Sequence, residues 1–322
     1  MLKVSVVIRC YNEARHIDRL LRGIMQQNCR RVEIILVDSG STDGTVEIAR
    51  QYPIRLLSIK PENFSFGRAL NLGCQAATGD FIVIASAHVY PIYQDWLINL
   101  LEPFKDPKTA LSYGKQRGNS LTQYSERQIF ETWYPDSPGG VQHQDYPFCN
   151  NANAAIRRHL WQKIPYDEML TGLEDLAWAK CLISLGYQIA YVPEAEVIHV
   201  HEESLLKIYN RYRREAVALK HIFPQEKFTL YDFIRLFTSN VVNDCYLALK
   251  DRVLFQEFAA ITMFRLMQFW GTYRGYLLRA PVSKKLRKIF YYPRKPSNNR
   301  DLSPPPQRQT IDYKCQSSMV SK

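Results

Sequence analysis

Two acids stand side by side at Glu174-Asp175, just after Gly172-Leu173 and ahead of Leu176-Ala177-Trp178. Acids at a helix start are favoured in their ionised form by the macrodipole. Adjacent residues on a helix do not share a face, so one acid is expected to meet a ligand and the other a support. A carboxylate beside a hydroxyl is suited to general-base work. His88 forms a second group, ending the segment Phe81-Ile82-Val83-Ile84-Ala85-Ser86-Ala87-His88. A third is Val197-Ile198-His199-Val200-His201, where a period of two puts both histidines on one side of an extended segment. Imidazole suits Mn²⁺ and later first-row ions, whereas Mg²⁺ prefers hard oxygen. Arg211, Arg213 and Arg214 follow on a helical stretch and suit either phosphate or a solvated basic face. Asn153, within Asn150-Asn151-Ala152-Asn153, suits a sugar contact or a backbone turn.

The segments Val6-Val7-Ile8-Arg9-Cys10-Tyr11-Asn12-Glu13 and Val37-Asp38-Ser39-Gly40-Ser41-Thr42-Asp43-Gly44-Thr45 together resemble family 2 glycosyltransferases of the GT-A fold. The resemblance implies that these two loops hold the nucleoside of a nucleotide-sugar donor. Asp38 would then bind the base, with Arg9, Tyr11 and Glu13 beside it. Asn63–Gly73 is similar to a family segment whose helix start lies near the donor diphosphate, a favourable place for an anion. Arg68 is its nearest basic residue; many members have Arg-Asn where this chain has Leu70-Asn71. Members end the fourth strand in Asp-x-Asp, which holds Mn²⁺ or Mg²⁺ against the diphosphate. Here the triplet is Ser86-Ala87-His88, so both carboxylates are replaced. Ser86 and His88 are expected at the donor, His88 either as a metal ligand or as a metal-free partner of the leaving phosphate.

Glu174-Asp175 matches the family's Glu-Asp motif, which implies Asp175 as general base of an inverting transfer and Glu174 as its support. The histidine that relatives place after a late strand corresponds to His199, with His201 as rival. The resemblance also places Asn153 and Trp178 beside the acceptor. It covers residues 3–215. Phe64-Ser65-Phe66-Gly67-Arg68-Ala69-Leu70-Asn71 together with Ser-Ala-His most resembles the rhamnosyltransferase-like branch associated with bacterial surface polysaccharides. A saccharide or lipid-linked saccharide acceptor is implied. The missing Asp-x-Asp also fits a catalytically inactive relative that binds nucleotide-sugar or polysaccharide as a scaffold.

Elements of alternating period must position these residues. Val4–Ile8, Val32–Val37, Ile54–Ile59 and Phe81–Ala85 read as strands, the continuous apolar runs as strands buried on both faces. Helical spacing follows each: Ile17–Ile24, the segment carrying Val46 to Ala49, Phe66–Ala77 and Trp96–Phe104. Strands alternating with helices predict an α/β fold with a mainly parallel sheet and ligands at the C-terminal strand ends. Ser112–Pro147 reads as irregular, broken by Pro135, Pro138, Gly139, Gly140 and Pro147. Helices are expected again at Arg157–Ile164 and Glu174–Leu185, with a strand at Gln188–Val192.

Three regions are predicted: a catalytic domain over 1–215, a helical extension over 216–282 and a basic, disordered tail over 283–322. In the extension, apolar stripes alternate with Arg235, Arg252, Arg265 and Arg274, which disfavours spanning a bilayer. It suits an anionic membrane surface, or packing on the catalytic domain or on a second copy in a homo-oligomer. The net charge of +11 over 322 residues points to anionic partners. Nucleic acid is not expected, because no nucleic-acid module is recognisable. Seven scattered cysteines without a CxxC pair read as reduced thiols. With neither a signal-peptide pattern nor a long apolar span, the expected location is the cytoplasm, extending to the inner face of the plasma membrane.

Overall fold

The apolar runs at the head of the chain lie side by side as parallel strands: β1 (Val4–Cys10), β2 (Val32–Asp38), β3 (Arg55–Ser58) and β4 (Phe81–Ser86). The structure, a computed structural model, describes residues 3–29, 31–136, 139–141, 147–278, 310–311 and 313. Between and after these strands come α1 (Ile17–Met25), α2 (Thr45–Ala49) and α3 (Phe66–Ala76). A short strand β5 (Val89–Pro91) precedes α4 (Trp96–Leu101). Next are β6 (Thr109–Arg117), α5 (Tyr124–Trp133), β7 (Gly140–Val141) and β8 (Asn153–Arg157). The remaining elements are α6 (Arg158–Lys163), α7 (Glu174–Ser184), β9 (Gln188–His199), α8 (Leu205–Ile222), α9 (Leu230–Lys250) and α10 (Leu254–Tyr276).

One sheet runs β3-β2-β1-β4-β8-β6-β9-β5, with β7 paired to β9. β1 is apolar almost throughout because both its faces are covered. Val4, Val6 and Ile8 meet Leu20 and Leu21 of α1 and Trp96 of α4 on one side. Val7 meets Leu70 and Cys74 of α3 in the cluster on the other. Two buried clusters separated by a sheet are the packing that continuous apolar strands demand. The predicted α/β architecture is therefore present, but the sheet is mixed: β8 runs antiparallel to both β4 and β6.

Three segments differ from the sequence expectation. Ser112–Pro147 holds most of β6 and all of α5. Both were obscured by polar residues that the fold buries: Lys115 and Gln116 on the strand, Ser125 and Glu126 on the helix. β9 continues to His199 instead of stopping at Val192, passing Pro193 where its register against β6 shifts. The Asn150–Arg158 segment contains β8, which pairs with β4 and β6.

The boundary expected at 215 falls inside α8. That helix packs on α10, where an added Cβ at Gly271 would lie 2.5 Å from the Tyr209 carbonyl and one at Gly275 2.6 Å from the Arg213 carbonyl. α9 and α10 are joined by a buried fork, in which Arg265 Nε and Nη2 donate to Asp244 at 2.7 and 2.9 Å. Arg265, one of the bases whose interleaving disfavours bilayer spanning, is buried and paired. Tyr124 of α5 anchors the assembly, packing with Ala248 and Ile261 and donating its hydroxyl to Asp251 at 2.7 Å. Among the described residues, no helix is long and apolar enough to cross a membrane. Most of the predicted tail lies outside the described residues. Ile311 and Tyr313 do not: Ile311 N–H donates to the Ile92 carbonyl at 3.1 Å and Tyr313 Oη to the Pro91 carbonyl at 2.6 Å.

Candidate active site

The first two strands end in loops that are stitched to each other. Asn12 N–H donates to Ser41 Oγ and Thr42 N–H to Asn12 Oδ1, each at 2.8 Å. Glu13 N–H donates to Thr45 Oγ1 at 2.8 Å. Gly40 and Gly44 take φ of 92° and 91°, in the left-handed region that excludes most side chains. The small polar residues of the second loop thus serve as loop architecture, and both loops contribute to the wall of a cavity of about 1010 Å³. This volume is at the upper end of ordinary ligand pockets. The cavity is also lined by the ends of β4 and β9, by α5, by the first turn of α7 and by the middle turns of α8.

Glu174 and Asp175 enter it from the start of α7, after Leu173 at φ 55°. The two acids are treated unequally. Glu174 Oε1 accepts from Arg9 Nη1 at 3.1 Å. Among the described residues Asp175 accepts only from backbone N–H groups, Asn151 at 2.9 Å and Leu176 at 2.8 Å. Burial, and then the neighbouring charge of Glu174, push the Asp175 carboxyl up to about 7. A carboxylate of that basicity is suited to take a proton near neutral pH. Arg9 and Arg214 both lie over the Phe66 ring, at 4.8 and 4.6 Å from its centroid, which sets two guanidinium groups beside the acids.

Farther along the cavity three histidines meet. His88 and His199 stack at 5.0 Å between centroids, and His199 meets His201 at 4.1 Å. Nδ1 of His88 lies 2.9 Å from Glu13 Oε1, that of His199 2.6 Å from Gln116 Oε1, and that of His201 2.7 Å from Glu126 Oε1. Burial opposes charge on His88, but Glu13 outweighs it and raises the pKa. Burial and the adjoining His201 and His88 hold His199 well below the ordinary imidazole range, so it is neutral. His199 Nε2 is buried without a hydrogen-bond partner among the described residues. One ligand nitrogen from each ring lies within 4.8 Å of the others, an arrangement that fits a divalent cation.

Residues 5–164 match the family described as glycosyl transferase family 2. The chain is a member of that family. It is 28% identical over 224 residues to the O-antigen chain rhamnosyltransferase RfbN of Salmonella typhimurium, covering 66% of this chain and 70% of the relative. The O-antigen chain rhamnosyltransferase WbaN of Salmonella anatum is 26% identical over 222 residues, with the same shares covered. Among solved structures, the mannosyltransferase PcManGT from Pyrobaculum calidifontis, in complex with GDP-Man and Mn²⁺, has a TM-score of 0.57 at 20% identity. The alignment spans 91% of this chain and 88% of that one, and it shows a shared GT-A fold.

In this glycosyltransferase the cavity gathers Arg9, Tyr11, Glu13, Ser86, His88, Glu174, Asp175, His199, His201, Arg211 and Arg214. Four predicted site residues lie elsewhere. Asp38 is buried and accepts from the N–H groups of Gly40 and Ser41, closing its own loop; Asp43 from that loop lines the cavity instead. Arg68 points away, ion-paired with Glu168 at 2.7 Å. Asn153 is wholly buried, donating to the Lys115 and Ala195 carbonyls and accepting from Trp96 Nε1. Trp178 packs in the core against Tyr166, with its indole N–H on the Ile164 carbonyl. In each case a polar or aromatic group that suggests a ligand is engaged within the protein.

Arg213 also lies outside the lining, on a turn of α8 that faces α10. Glu126 was not anticipated. It accepts from Arg211 Nη2 at 2.6 Å and holds His201, and its distance of 75 and 85 residues from these partners leaves no local signal. Trp133 and Phe148, edge to face at 5.4 Å, form an aromatic wall that sequence spacing also hid.

Proposed function

We propose that the chain transfers a sugar from a nucleotide-diphosphate donor to an acceptor hydroxyl by a single inverting displacement, with Asp175 as general base. The observation that carries this reading is Asp175 itself: a buried carboxylate facing the cavity, paired with no cation among the described residues, and raised to about 7. The acceptor oxygen attacks the anomeric carbon and gives its proton to Asp175. The bond from that carbon to the diphosphate breaks, and the nucleoside diphosphate leaves with the electron pair. Glu174 and Arg9 position the base by fixing the first turn of α7 against β1. The stitched loops after β1 and β2 hold the nucleoside, and Arg211 and Arg214 face the leaving charge. A divalent cation held by His88 and His199, when bound, would stabilise charge developing on the diphosphate.

The rhamnosyltransferase relatives support an acceptor that belongs to a surface polysaccharide or glycolipid. The Trp133–Phe148 wall supports a saccharide acceptor, since aromatic faces offer apolar area to sugar rings. The reading is tested by screening nucleotide sugars for stabilisation of the protein, then assaying transfer with the best donor. Asp175→Asn is expected to bind that donor as the native chain does and to lose transfer. Undiminished transfer by the variant would rule out Asp175 as base. Donor binding without transfer by the native chain, across saccharide and lipid-linked saccharide acceptors, would favour the scaffold reading.

A further inference from the structure

The three histidines are built as a ligand set. A carboxylate only accepts hydrogen bonds, so Nδ1 of His88 and of His201 must carry the proton shared with Glu13 and Glu126. The Gln116 carbonyl oxygen makes the same demand of His199 Nδ1. With Nδ1 engaged on each ring, Nε2 is the nitrogen left to face a ligand, and on His88 a cation would displace the proton that Glu13 favours there. Outer hydrogen bonds that fix the tautomer of an imidazole are a regular feature of metal-ligating histidines. Three such bonds on three adjoining rings are hard to explain as packing alone, because they leave His199 Nε2 buried with nothing to accept from. An unpaired buried polar atom costs free energy unless a ligand satisfies it.

The nearby acids do not compete for the role. Glu126 and Glu203 both lie within salt-bridge distance of Arg211, at 2.6 and 2.7 Å, and Glu13 is held by His88. We infer that His88, His199 and His201 form an all-imidazole site for one divalent cation of the zinc and cobalt class, with Glu13, Gln116 and Glu126 as positioning residues. This inference rests on the glycosyltransferase reading for the cation's use, but not for its binding. Three imidazoles without a carboxylate select later first-row ions over Mg²⁺, which demands oxygen. Three protein ligands leave a coordination position for an oxygen of the donor diphosphate, as open metal sites do.

The test uses the full chain stripped with chelator and titrated with Co²⁺ in the absence of any nucleotide. One Co²⁺ per chain is expected, with intensified visible absorption from imidazole ligation, displaced by stoichiometric Zn²⁺ but not by hundredfold Mg²⁺. His199→Ala should abolish the signal, with an unchanged circular-dichroism spectrum showing that it folds. Gln116→Ala keeps all three ligands and should weaken Co²⁺ by about 10–100-fold, the usual cost of losing an outer partner. Equal displacement by Mg²⁺, or Co²⁺ binding unchanged in folded His199→Ala, would overturn the inference. Titration with UDP, GDP and dTDP separates the two readings. A chain that binds one of these but no Co²⁺ loses the metal site and keeps the transferase reading.

Discussion

Two buried acids in this molecule meet opposite fates. Asp244, between α9 and α10, is gripped by both arms of the Arg265 guanidinium. Asp175, at the head of α7, has a cation close by in Arg9, yet Arg9 pairs with Glu174. Asp175 is left with two backbone N–H groups and a carboxyl pushed up to about 7. The first arrangement neutralises a charge to hold helices together. The second leaves the carboxylate without a cation among the described residues, which is what the proposed base requires. A buried charge in this chain therefore becomes informative once its nearest cation has been traced to its actual partner.

Substitutions can break this contrast. The largest effect is expected from Asp175→Asn, which should lower kcat by about 10²–10⁴-fold, the usual worth of a general base. The same change should stabilise the protein above pH 7. The folded pKa lies above the ordinary carboxylate value near 4, so the folded state binds more protons between those limits. Stability is thus lost as pH rises from about 4 to about 7 and stays lost above. Asn removes that penalty, so the variant should melt above the native chain at pH 8, with the difference shrinking towards pH 4. A lower melting temperature for the variant at pH 8 would contradict it.

Asp244→Ala should do the reverse. It leaves Arg265 buried and unpaired, at a cost of about 3–5 kcal/mol in denaturant unfolding. Transfer per folded molecule should be unchanged. A pH profile sharpens the comparison further. Activity should rise about tenfold per pH unit below 7 and level off above it, because only the ionised base works. Arg9→Met should move the midpoint up, since Glu174 then presents its full charge to Asp175. The smallest effect belongs to Thr229, whose hydroxyl and Asp232 form a reciprocal cap at the start of α9. Thr229→Ala should cost about 1 kcal/mol with no change in the pH profile.

Much of the fold is legible in the sequence because β1, β2 and β4 are continuous apolar runs and α1 and α3 keep helical spacing. Legibility fails where the fold buries polar groups with distant partners. Lys115 and Gln116 disguised β6, Glu126 disguised α5, and Asn153 passed for a sugar contact while tying β8 to Trp96 and two carbonyls. The site follows the same rule. Glu174, Asp175, His88 and His199 are readable from local pattern. Their supports, Arg9 and Glu13 excepted, come from Asn151 and Gln116, and nothing in their spacing announces those pairings. Asp38 and Trp178 show the same gap from the other side, since spacing does not reveal that the acid closes its own loop and the indole bonds a core carbonyl.

α8 belongs at once to the cavity, through Arg211 and Arg214, and to the helical half, through its tight seat on Gly271 and Gly275. No cut through it yields two independent modules. Exchanging the helical half for another would bare the face of α8 seated on α10, so a swap of halves is expected to disturb the cavity wall as well. Heat should accordingly dismantle both halves in one cooperative transition, without a surviving catalytic core.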